Sequence, residues 1–191
     1  GTLRAQMMPA MKVLKRIVPV SMKPHGESLV LDMGQNMVGW LRLENLKGHA
    51  VGDSIRLRFA ERLQADGSLY MDNLRDAKVT DIYVCNGHED GCSWAPRFVT
   101  HGFRYVEVTG LPEASLEDFV GEVVSDEMEV TGSFECSDTL VNRIYRNAYW
   151  GILGNYKGMP IDCPQRNERQ PWLGDRTRGA LGESYIFGNE R

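Results

Sequence analysis

A mainly β chain with its helices gathered at the C-terminal end is the fold class the sequence predicts, on three observations. Short runs of alternating apolar and polar residues recur from Ser28 to Val124, separated by turns rich in Gly and Asp. No amphipathic helix interrupts them. After Val130 the apolar spacing changes from two residues to three and four. Several short strands with regular turn signals imply an antiparallel sandwich or jelly roll.

Met7–Val20 is rich in Met and Lys and lacks strong periodicity, and Pro9 and Pro19 confine any helix to the span between them. Residues 1–27 therefore read as a linker or the tail of a preceding domain. Ser28–Met33 and Val38–Leu43 read as two strands. In Ser54–Ala60, Ile55, Leu57 and Phe59 share one face while Arg56 and Arg58 share the other, as in a half-buried strand. Val79–Cys85, Arg97–Thr100, Arg104–Val108 and Phe119–Val124 complete a β module over residues 28–130.

Residues 131–191 read as helical. Ser137 is a suitable N-cap, and Asp138 sits favourably at the positive end of a helix. Leu140, Val141, Ile144, Tyr145, Ala148 and Ile152 then mark one face of a helix from about Asp138 to Leu153. A second helix is expected from Leu173 or Asp175 to about Phe187.

Composition narrows the function. The 191 residues are 42% hydrophobic, enough to bury a core, and the net charge of −4 argues against a nucleic-acid binder. No segment approaches the ~20 apolar residues that cross a bilayer. Cys85, Cys92, Cys136 and Cys163 show no C-x-x-C spacing and the histidines are scattered, so no metal or other cofactor is expected. Cys85 and Cys92 flank the Asn86–Gly91 turn; a disulfide across a hairpin and two free thiols both fit. Asp66-Gly67 and Glu89-Asp90-Gly91 lack calcium-loop spacing and fit turn chemistry. Gly1 reads as an excision scar, and the lack of a leader in a fragment says nothing about compartment.

Between the two helical stretches lies MPIDCPQRNERQPWLGD, Met159–Asp175. Pro160, Pro164 and Pro171 forbid a continuous helix and stiffen the segment. It carries Asp162, Arg166, Glu168, Arg169, Trp172 and Asp175. Carboxylates and guanidiniums hydrogen-bond ring hydroxyls, an indole stacks on the apolar face of a pyranose, and a carboxylic acid can protonate a glycosidic oxygen. A salt-bridge network that only shapes the loop is the competing reading.

The run DCPQRNERQPWLGD resembles the acid-bearing signature of glycoside hydrolase family 78, the bacterial and fungal α-L-rhamnosidases. DMGQNMVGWLRL (32–43), RFAERLQADGSLY (58–70) and FVTHGFRYVEVTG (98–110) resemble the β-sandwich that precedes that family's (α/α)6 barrel. The resemblance implies an antiparallel β-sandwich followed by the first helices of that barrel, and an inverting enzyme that removes terminal α-L-rhamnose. By position Glu168 would be the general acid, Asp162 and Arg166 would hold rhamnose hydroxyls, Trp172 would line the sugar pocket, and Asp175 would contact the sugar or tune the acid. The general base, a late glutamate roughly 6.5–9.5 Å from the acid in an inverting site, would lie outside this chain. Asn167 stands where an Asp is usual and Gln170-Pro171 where Leu-Gly is usual, so the pocket wall should differ.

The implied partner is a rhamnose-containing carbohydrate, with no nucleic acid or membrane. Two helices of a six-hairpin toroid would expose an apolar face, which makes a homo-oligomer possible and the isolated chain inactive. Periplasmic or extracellular placement is favoured over cytoplasmic. The alternatives are a non-catalytic carbohydrate-binding module and another glycosidase or a lyase on the same architecture. Trp40, Trp94, Phe103 and Tyr105 could line a groove on the sandwich, although packing on a pleated surface is the commoner reason for such residues. His101 is expected to be a packed or turn histidine.

Overall fold

The computed structural model describes residues 1–188. The chain divides into two compact units: a β unit of residues 13–124 and 164–167, and a helical unit of residues 1–12, 125–163 and those from Glu168 onward. No helix among the described residues is long and apolar enough to cross a membrane.

Eight strands form one sheet: β1 (Met11–Ile17), β2 (Ser21–His25), β3 (Ser28–Leu46), β4 (Ser54–Ala60), β5 (Thr80–Val84), β6 (Cys92–Trp94), β7 (His101–Thr109) and β8 (Phe119–Asp126). The order is β1-β8-β3-β7-β4-β5, with β2 and β6 also paired to β3. The pairings of β3 with β2, β6, β7 and β8, and of β4 with β5 and β7, are antiparallel. Met11–Ile17 and Ser21–His25 are thus strands, where a linker was expected. Their weak periodicity reflects position: β1 is an edge strand, mostly exposed, with no core face to mark it.

The two strands expected at 28–33 and 38–43 are one bent strand, and the bend makes the sandwich. The register against β7 shifts between Asp32 and Met37, and Gly34 adopts φ +71°, a backbone that disfavours side chains. Asp32 clamps the bend: one carboxylate oxygen accepts the Gly34 N–H at 2.7 Å, and Arg104 binds both oxygens at 2.8 and 2.9 Å. Beyond the bend β3 exchanges β2 for β8, so both halves turn apolar residues inward. Leu31, Leu41, Leu43, Phe59, Phe103 and Phe119 are fully buried. Gly39 and Gly121 permit close approaches in the sheet: an added Cβ would stand 1.8 Å from the Glu122 carbonyl oxygen and 2.7 Å from Met33 Cε, respectively.

Two further expectations fail locally. Arg97–Thr100 is not a strand, because Phe98 sits at φ +62° with its ring in solvent. The Asn86–Gly91 turn does not close a hairpin: β5 pairs β4 while β6 pairs β3, and no disulfide joins Cys85 and Cys92. The turn is built instead around the buried Glu89 carboxylate, which accepts the N–H groups of Asn86 and Gly87 and the Tyr83 hydroxyl. His101 is packed as expected, stacked on Phe59 at 4.2 Å and bonded through Nε2 to Asp81 at 2.9 Å.

In the helical unit, α1 (Thr139–Gly154) is capped by Asp138 rather than Ser137, its carboxylate accepting the Leu140 and Val141 N–H groups. α2 spans Leu173–Ser184, and a two-residue β10 (Phe187–Gly188) returns to β9 (Glu129–Val130). Phe187 is buried against Tyr149, with ring centroids 5.2 Å apart.

Candidate active site

The proline-rich connector between α1 and α2 is tied to itself at a neck. The Asp162 N–H donates to the Gln170 carbonyl at 3.0 Å, and the Gln170 N–H donates to Asp162 Oδ1 at 2.6 Å. Cys163 Sγ donates to Asp162 Oδ2 at 3.0 Å. Asp162 therefore shapes the loop. Arg169 follows at φ +51°, a left-handed turn by a non-glycine residue that directs the chain back to the neck. Burial lowers the pKa of its guanidinium, against the pull of Cys163.

Glu168 lies beside this neck. Its Oε1 accepts the Trp172 indole N–H at 3.2 Å. Donor atoms of Asp162, Cys163 and Glu168 all fall within 4.8 Å of one another. Such a trio of two oxygens and a thiol could approach a cation, but the thiol already donates to Asp162.

A cavity of about 350 Å³ opens next to Trp172 in the helical unit, lined also by Asp162, Asp175, Tyr156, Arg176 and Glu183. Trp172 is half exposed, with 51% of its surface open, and Asp175 is exposed. Glu183 Oε2 accepts the Tyr156 hydroxyl at 2.6 Å and lies 2.6 Å from Arg176 Nη1, while the Arg176 guanidinium sits 5.6 Å over the Tyr156 ring. Sequence reasoning missed Tyr156, Arg176 and Glu183. A signal existed: Arg176 and Glu183 stand seven apart, two turns along one helix face.

Of the five expected site residues, Asp162, Glu168, Trp172 and Asp175 fall in the helical unit, and the structure draws Asp162, Trp172 and Asp175 around one cavity with Glu168 bonded to the tryptophan. Arg166 belongs to the four-residue stretch 164–167 that packs with the β unit. There Gln165 lies against Gly102, where an added Cβ would come within 2.9 Å, and the Asn167 amide donates to Asp76. Asn167 thus has a structural partner at the position where the family usually carries an aspartate.

The family model described as the bacterial alpha-L-rhamnosidase concanavalin-like domain matches residues 22–125, more than half of the chain. The chain belongs to the bacterial alpha-L-rhamnosidase family. The six-hairpin glycosidase domain of the same family matches residues 129–191. An alpha-L-rhamnosidase of Streptomyces avermitilis is 42% identical over 188 residues, which are 98% of this chain and 17% of that protein. One from Formosa agariphila is 40% identical over 164 residues, 84% of this chain and 17% of that protein. Among solved structures, the alpha-L-rhamnosidase from Dictyoglumus thermophilum superposes with TM-score 0.92 at 39% identity, covering 98% of this chain and 21% of that one. The Streptomyces avermitilis enzyme complexed with L-rhamnose gives TM-score 0.90 at 38% identity, covering 96% and 18%. The chain thus spans about a fifth of these relatives' length, and carries the family's β-sandwich followed by the opening of its helical barrel.

Proposed function

We propose that this chain supplies the proton-donating side of an inverting glycosidase that removes terminal α-L-rhamnose from glycosides or polysaccharides. The eight-stranded sheet that begins at β1 serves as its sandwich module and residues from 131 open its catalytic toroid. Glu168 is the general acid: it passes its proton to the glycosidic oxygen as the bond to C1 breaks. A water on the opposite face, deprotonated by a carboxylate beyond these 191 residues, completes the displacement. Trp172 stacks on the sugar, Asp162 and Arg166 bind hydroxyls, and Asp175 contacts the sugar or tunes the acid.

The observation that carries the reading is the Trp172–Glu168 hydrogen bond at the edge of a cavity that Asp162, Trp172 and Asp175 line. An indole N–H on the acid fixes where its carboxyl points, and the same ring offers a stacking face. A module that only bound carbohydrate would have no use for a positioned acid. The alpha-L-rhamnosidase names of the relatives and the L-rhamnose bound to one of them support the choice of sugar.

The test is Glu168→Gln in an enzyme carrying this chain. A general acid contributes about 10²–10⁴-fold, and only where the leaving group needs a proton. Hydrolysis of alkyl rhamnosides should fall by that factor, while 2,4-dinitrophenyl rhamnoside, whose leaving group departs unaided, should be nearly unaffected. Equal loss on both substrates would remove Glu168 from this role. The 191-residue chain alone should hydrolyse aryl α-L-rhamnosides no faster than buffer does.

A further inference from the structure

The β unit carries a groove of about 960 Å³ that shares no residue with the cavity beside Trp172. Trp40, Trp94, Ile82, Asp81, Arg97 and Glu122 line it. We propose that this groove is a saccharide-binding site of its own, shaped for a uronate-bearing glycan chain.

Two indoles are fixed there. The Trp40 indole N–H donates to Glu122 Oε2 at 2.7 Å, and the other oxygen of that buried carboxylate meets Arg16 at 3.0 Å. Glu122 is thereby neutralised, and the ring it holds has no polar demand left. Trp94, at the end of β6, rests on Tyr83 with ring centroids 5.1 Å apart. Both tryptophans are only partly buried. Indoles locked before a ligand arrives lose little entropy on stacking against a pyranose. Ile82 adds an exposed apolar surface.

The polar groups set the ligand's charge. Arg42 is committed to Glu44 and Ser93. Arg97 is exposed and makes no side-chain hydrogen bond or ion pair among the described residues. It is a spare cation at the rim, available to a carboxylate. Asp81 gives Oδ1 to His101, while its buried Oδ2 lacks a partner among the described residues. An acceptor left without a donor is costly, and a sugar hydroxyl entering from the groove supplies one. The cavity volume falls within the usual range for a ligand site of roughly 300–1,000 Å³.

The experiment is calorimetric titration of the 191-residue chain with rhamnogalacturonan oligosaccharide, which alternates rhamnose and galacturonate, and with neutral maltohexaose. The oligosaccharide should bind the wild type and Glu168→Gln alike, so the result is independent of the acid's role. Trp94→Ala should weaken it at least about tenfold. Arg97→Glu alters an exposed side chain and should leave folding intact by circular dichroism. It should weaken the uronate ligand selectively and leave the weaker maltohexaose binding unchanged. No binding of the oligosaccharide, binding unmoved by Arg97→Glu, or binding abolished by Trp172→Ala would overturn the proposal.

Discussion

The indole N–H of Trp172 donates to the carboxylate of Glu168 at 3.2 Å, across a chain separation of four residues that Pro171 and the left-handed Arg169 make possible. In a helix this spacing would superpose the two side chains. Here an irregular connector turns one toward the other, so the contact depends on the loop's own bonds at Asp162 and Gln170.

Trp172→Phe separates the two jobs of this residue. Phenylalanine keeps an aromatic face for the sugar but has no N–H to hold the acid. A hydrogen bond to a charged group contributes about 1.5–3 kcal/mol, so kcat on unactivated rhamnosides should fall at least about tenfold with KM little changed. Trp172→Ala should raise KM as well. Steady-state kinetics in an enzyme carrying this chain measure both. A Phe variant with wild-type kcat would show that the bond has no part in catalysis.

Lys157, one residue before the Gly158 whose N–H binds both oxygens of the buried Asp126, should make stability rise in alkaline solution. Burial pushes its ammonium down to about 8 from 10.5; the Asp126 carboxylate opposes this and the Arg169 cation adds to it. Between those values the unfolded chain binds a proton that the folded chain has released, so folding gains stability as pH rises through the window, and the penalty is complete below it. Burial raises the Asp126 carboxyl in turn, against the Gly158 N–H and the Lys157 charge. Denaturant unfolding of wild type and Lys157→Met between about pH 7.5 and 10 should show the wild type gaining on the variant. A constant difference would refute the assignment.

Much of the β core was legible because burial there is one-sided. Ser54–Ala60 was read with its true bounds, and Ile55, Leu57 and Phe59 are all fully buried. The bend at Gly34 was not legible: alternation on both sides suggested two strands, and only the Asp32 clamp keeps them one. Nor were β1 and β2, whose residues face solvent or only partly face the core. At the site, the proline spacing and the charged side chains identified the connector, since no helix tolerates three such breaks. Tyr156, Arg176 and Glu183 escaped: the seven-residue spacing puts the arginine and glutamate on one helix face, but only the fold brings them and the tyrosine to one cavity.

The outer face of α1 should behave oppositely in the chain alone and in a larger enzyme. Leu140 and Ile144, one turn apart, are 64% and 59% exposed, and Val141 beside them is open as well. Apolar residues at this spacing normally face a core, and the opening helices of a six-hairpin toroid would find theirs in later hairpins. In the 191-residue chain, Leu140→Lys with Ile144→Lys removes no buried contact, so the unfolding midpoint should shift by no more than a surface change does, about 0.5 kcal/mol per site. Sedimentation should show less self-association, because the exposed patch is gone. In an enzyme with the toroid complete, the same pair would bury two unpaired charges and cost several kcal/mol. Equal melting of the variant and wild-type enzymes would mean that no further hairpin covers this face.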